Sequence, residues 1–185
     1  MSYASAEHDR MIAAMLMPCA VVGVDLVAPA VRVSNGEWTS AWVRWHSLAA
    51  GKARHWRVPS LGEQGVLFNP SGQAGMGTFI PGLYGNAGAP PDNRDHVEVW
   101  RFDDGGSLVY DWQAKSYAIT LPTGTATIKV ATTEVVVTDS AVTVTTGNIN
   151  LKAAVTIDGA LHVTKGITSA GAILDAGGNS NHHTH

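Results

Sequence analysis

Between Ser116 and Thr168 the sequence alternates without relief: Ala118-Ile119-Thr120-Leu121, Thr127-Ile128-Lys129-Val130, Val135-Val136-Val137, Val142-Thr143-Val144-Thr145, Ile149-Asn150-Leu151-Lys152, Val155-Thr156-Ile157-Asp158 and Leu161-His162-Val163-Thr164. β-Branched Val, Ile and Thr dominate, and such residues favour strands because their χ1 freedom is already restricted. No helical period runs through the stretch. The runs are short, and they recur after little more than Gly, Thr, Asn or Asp, which is the mark of a stacked β-repeat. Their apolar side chains are small, and no aromatic residue other than histidine follows Tyr117. A single chain would leave a long ladder of unpaired strand edges, a liability that folded proteins avoid. Three intertwined copies remove it: each chain's edges pair with the next, the Val/Ile face turns to a shared axis, and closed three-fold symmetry stops further growth. A β-sandwich of this length is the alternative, but a sandwich ordinarily keeps aromatics in its core.

The preceding half has a different composition. All six tryptophans lie before residue 113, and seven of eight prolines lie before residue 92. Val31-Arg32-Val33, the run Thr39 to Trp45, Gly65-Val66-Leu67-Phe68 and Thr78 to Gly82 are short β-rich segments set between Gly, Pro, Asn and Ser. Four to five such strands suit a small barrel of the OB type, with an SH3-like barrel fitting the same spacing. The apolar run Met11 to Val24 predicts a helix over residues 4–17, ended by Pro18, and then a strand at Ala20–Val24. Glu7 and Asp9 precede it where a signal peptide needs positive charge, and it is too short to span a bilayer. No signal peptide is therefore expected. The chain divides into an N-terminal helix (1–19), an OB-fold domain (20–95), a triple-stranded β-helix shaft (96–172) and an apex (173–185).

Only 15% of the residues are charged, against about 25% in ordinary domains, and the net charge is −3. The lone cysteine, Cys19, excludes an internal disulfide and suits a small buried apolar position. Asp103-Asp104-Gly105-Gly106 is a turn signal rather than a catalytic carboxylate pair. Gly72 to Gly77 lacks the lysine and helix of a phosphate loop. No nucleophile–base arrangement is readable, so no enzyme is expected.

The chain closes on His182-His183-Thr184-His185, which holds three of its eight histidines. In extended backbone, residues two apart point to the same side, so His183 and His185 aim together and His182 aims away. Two neutral imidazoles from one chain make a poor metal site. Three chains on a three-fold axis supply six, an octahedral set, and imidazole suits iron, nickel, copper and zinc. Without the axis the motif is an ordinary solvated tail.

Barrel, stacked tail and terminal His-x-His together resemble the baseplate assembly protein V family of contractile-tailed phages, and the similar short spike of R-type pyocins. The most family-like segments are Trp42-Val43-Arg44-Trp45, Pro59 to Val66, Gly77 to Tyr84 and His183-Thr184-His185. The resemblance implies a homotrimer whose OB-fold domain attaches to the tail hub and whose β-helix forms the shaft. It implies one iron ion per trimer at the apex, held by His183 and His185 of three chains; nickel or zinc would satisfy the same residues. The implied function is a mechanical spike, contacting and piercing a target outer membrane, in a virion tail or bacteriocin particle assembled in the host cytoplasm. The competing function is an oligonucleotide-binding OB module, drawn from Trp42, Arg44, Trp45, Arg54, Trp56 and Arg57, since aromatics stack bases. The negative net charge speaks against nucleic acid as a partner.

Overall fold

The computed structural model describes residues 3–73 and 76–171, in two compact units, 1–122 and 123–185. Helix α1 (Tyr3–Ala13) leads into β1 (Leu16–Asp25), β2 (Ala30–Ser34), β3 (Arg44–Trp45), β4 (Gln64–Phe68) and β5 (Thr78–Leu83). The long β1 pairs antiparallel with β2 through its second half and with β4 through its first. β4 pairs antiparallel with β5, and β5 runs parallel to β3. Reciprocal Val31–Val43 backbone hydrogen bonds of 2.8 and 2.9 Å then join β2 to the residue just before β3 and bring the ends of the sheet together. The order β2-β1-β4-β5-β3, nearly closed on itself, is that of an OB barrel, and it leaves few open edges.

Cys19, Val21, Val31, Val33, Val43, Leu67 and Phe79 fill the barrel. Alternation along β2 and β4 puts every second side chain inside, as a strand's period of two requires. Gly65 is a packing requirement: a Cβ there would lie 2.5 Å from the Phe79 ring and would also meet the Ile80 carbonyl. Cys19 is an inert thiol, because burial pushes its pKa up more than the Leu67 backbone lowers it.

The N-terminal helix is shorter than its sequence predicts. It ends at Ala13 rather than residue 17, and residues 16–19, assigned above to the helical segment 1–19, begin β1. A tertiary contact decides this. The Asn69 side-chain amide donates to the Ala14 carbonyl (2.9 Å), and the Asn69 backbone N–H donates to the Met15 carbonyl (2.8 Å). Pro18 is tolerated in the strand because β2 ends at Ser34, opposite Ala20, so the part of β1 before Ala20 has a neighbour on one side only.

Beyond the barrel, β6 (Val97–Arg101), β7 (Ser107–Asp111) and β8 (Ser116–Thr120) make a three-stranded antiparallel meander in the first unit. Arg94 ties its entry together, donating to Asp92 at 2.7 Å and to Asp111 at 3.3 Å, and holds the Asp92 carboxyl far below its usual range. The second unit contains a separate meander of β9 (Ala126–Val130), β10 (Thr133–Val137) and β11 (Val142–Thr145). These strands pair within the chain, where the sequence pattern predicts pairing between chains. Tight turns explain it. Asp111 Oδ1 accepts the Gln113 and Ala114 N–H groups, and Lys115 and Ala131 adopt left-handed backbone at φ 54° and 51°. The strands predicted at residues 149–152, 155–158 and 161–164 are not formed among the described residues, which have no regular secondary structure and are exposed there.

Candidate functional site

Register determines which side chains share a face. In the second meander, Ile128, Val135 and Val144 lie in one cross-strand row, and Ala126, Val137 and Val142 in the next row on the same side. Val130 extends the face, paired across the strands with Thr133, so this side is apolar in two rows and carries one threonine at its end. The opposite side carries Thr127, Lys129, Glu134, Thr143 and Thr145 around a single Val136, with Lys129 reaching Glu134 at 3.4 Å. Segregation of this kind marks a sheet with one face built to be buried. Yet in the single chain Ile128 and Val130 are each 72% exposed and Val142 67%. The first meander carries larger apolar groups on one face and a smaller apolar row, Val99, Val109 and Ala118, on the other. Trp100, Leu108 and Ile119 form one row, and Glu98, Tyr110 and Tyr117 the adjoining one, with the two tyrosine rings 6.3 Å apart and the Trp100 indole N–H donating to Glu98 at 3.1 Å. Ile119 and Tyr117 are largely exposed. After Thr145, Ile149, Leu151, Val155, Ile157, Leu161 and Ile167 are all exposed. So long a run of uncovered aliphatic side chains is foreign to a monomer's surface.

His183 and His185, the metal pair expected from the sequence, lie outside the described residues, as does the whole of the 173–185 apex. Among the described residues no group of three or more His, Cys, Asp or Glu side chains is placed to hold a metal ion. No helix among the described residues is long and apolar enough to cross a membrane.

The tryptophan and arginine residues considered for base stacking divide in two. Trp42, Arg44, Trp45, Arg54 and Trp56 line one groove on the barrel. Arg57 turns away from it to make a paired ion contact with both carboxylate oxygens of Glu63, whose Oε2 also accepts the Ser60 N–H at 2.9 Å. Burial alone would raise the Glu63 carboxyl, but the Arg57 and Ser60 hydrogen bonds outweigh it and hold it below its usual value.

Comparison with known proteins agrees with this two-part construction. Residues 17–84, the barrel, match the family described as the type VI secretion system/phage-baseplate injector OB domain. Residues 98–169 match the Gp138 β-helical trimerization domain. Over 187 aligned residues the chain is 30% identical to the spike protein of Escherichia phage P2, an alignment spanning 93% of this chain and 84% of that one. An OB barrel followed by meanders with one uncovered apolar face, matched along nearly its whole length to a phage spike, makes this chain a member of the baseplate assembly protein V family.

Proposed function

We propose that three copies of this chain form the central spike of a contractile phage tail or a tail-like bacteriocin. The observation that carries this reading is the apolar face of β9–β11, which has no cover within one chain and belongs to the segment matched to a trimerization domain. Around a three-fold axis the three faces close on one another, and residues 146–171 gain strand partners that one chain does not offer. Because each chain's pairing groups are then satisfied by its neighbours, folding of the shaft and assembly are one event.

In this reading His183 and His185 of three chains hold a single iron ion at the tip; the donor set of six neutral imidazoles suits it, and nickel or zinc would fit equally. The ion pins chain ends that would otherwise fray, because metal-binding energy becomes folding energy. The OB barrel attaches the spike to the baseplate hub. The shaft is pushed mechanically through the target outer membrane by the contracting tail, with no catalytic step in this chain and no nucleic acid bound. Its place is the tail tip of the assembled particle, built in the host cytoplasm.

The test is a particle carrying a deletion of this gene, complemented in trans by wild-type or variant chains. Wild-type complementation restores permeabilisation of the target outer membrane by adsorbed, contracting particles. Particles that lack the chain yet permeabilise normally would refute the piercing role.

A further inference from the structure

The groove on the barrel has a chemical character of its own. Its volume is about 740 Å³, between the Ala28–Ala30 segment, β3 and the loop through Trp56. Trp42 is 51% and Trp56 62% exposed, large values for tryptophan. Trp45 packs against Trp56 with ring centroids 5.4 Å apart, and the Arg32 guanidinium lies over Trp42 at 5.9 Å. Arg44 and Arg54 stand in the lining, and no carboxylate lines it among the described residues.

That charge is unusual for this chain, which is net negative. Arg10, Arg57 and Arg94 each meet a carboxylate. Arg32, Arg44, Arg54 and Arg101 make no ion pair among the described residues, and three of those four surround the groove. Arg54 Nε donates only to the Gly51 carbonyl, at 3.3 Å. An exposed aromatic floor flanked by unpaired guanidiniums matches an apolar anchor with carboxylates beside it, and Trp and Arg are the residue types that concentrate binding energy at interfaces.

We propose that this groove is the spike's grip on its baseplate hub, and that it seats a hub segment carrying an apolar side chain flanked by Asp or Glu. The proposal rests on the reading of the chain as a baseplate spike. A polypeptide fits better than nucleic acid for two reasons. Trp45 and Trp56 pack on each other, which takes up stacking surface that bases would need, and two arginines in a lining otherwise made of aromatic and small side chains do not form the basic track that follows a phosphate backbone. A hub segment fits better than a second copy because the groove lies wholly within the injector-domain match, 17–84, and outside the trimerization match, 98–169.

The experiment titrates the purified hub protein of the same particle onto the full-length chain by interferometry, with a dT20 oligonucleotide as a second probe and solution mass recorded for each variant. Arg44→Glu/Arg54→Glu and Trp56→Ala alter exposed side chains and should keep wild-type mass. Each should weaken hub binding at least tenfold, and the charge reversal should also flatten its salt dependence. Arg101→Glu, off the groove, should bind as wild type, and dT20 should not bind. Hub affinity unchanged in the groove variants overturns the proposal. So does loss of assembly in them, which would make the groove a chain–chain contact, or dT20 binding that they abolish. A wild-type chain that fails to bind hub at all overturns the spike reading itself, whereas binding that the variants leave intact overturns the groove alone.

Discussion

Neighbouring residues of β9 should respond in opposite ways to the same substitution. Ile128 sits on the apolar face and Thr127 on the polar one. With 72% of Ile128 exposed in the single chain, covering it in a trimer is worth up to about 2 kcal/mol per chain. Ile128→Asp forfeits that gain and also places an unpaired carboxylate where three chains converge, a penalty of about 3 kcal/mol or more per chain. Symmetry repeats the change in every chain, so the assembly loses on the order of 15 kcal/mol, comparable to the whole stability of a typical domain. Thr127→Asp leaves its carboxylate in solvent beside Lys129, and its cost is limited to strand propensity, under about 1 kcal/mol. Light scattering across a dilution series is the assay. Ile128→Asp should give chains of 19.4 kDa or disordered aggregate, and Thr127→Asp a trimer of about 58 kDa, three times the chain mass. Equal behaviour of the two variants, or dissociation by Thr127→Asp alone, would refute the assignment of faces.

Four further outcomes are expected. Changing His183 and His185 together to Ala should remove metal measured by elemental analysis, while His182→Ala keeps it, and both should remain trimeric with the double variant more protease-sensitive at its C-terminus. Acid should release the metal as pH falls below about 6.5, the unperturbed imidazole pKa, because the ligands must be neutral; tight binding lowers that point. Because the folded Glu63 carboxyl is held below its usual value, its contribution to stability is full above its unfolded pKa of about 4.3 and is lost as pH falls through the lowered folded value. Glu63→Gln should therefore cost about 1 kcal/mol at neutral pH and flatten the acid limb of a melting-temperature profile. Gly65→Ala should destabilise the barrel by about 1–3 kcal/mol in denaturant unfolding, since the Phe79 ring must move to admit a methyl group.

Much of the architecture is legible in particular residues. The aromatic-free alternation after Tyr117 announces a sheet that needs partners, and Val31, Val33, Leu67 and Phe79, all in short β-rich runs, become the barrel core. What periodicity does not reveal is where a tertiary hydrogen bond intervenes. The apolar run from Met11 looks continuous, and only Asn69, more than fifty residues on, makes it break at Ala14. Lys115 and Ala131 gave no turn signal, because left-handed backbone at a non-glycine residue is set by the hairpin around it rather than by propensity. The tryptophan and arginine cluster is visible as composition. Its division is not: that Arg57 leaves for Glu63 while Arg44 and Arg54 stay beside the tryptophans follows from barrel closure.

Native mass spectrometry of the unmodified full-length chain tests the central claim most directly, because it reads subunit number and bound metal in one spectrum. A single species of three chains, about 58 kDa, carrying one metal ion is predicted. A folded species of one chain at 19.4 kDa, or a trimer with one ion on every chain, would contradict it.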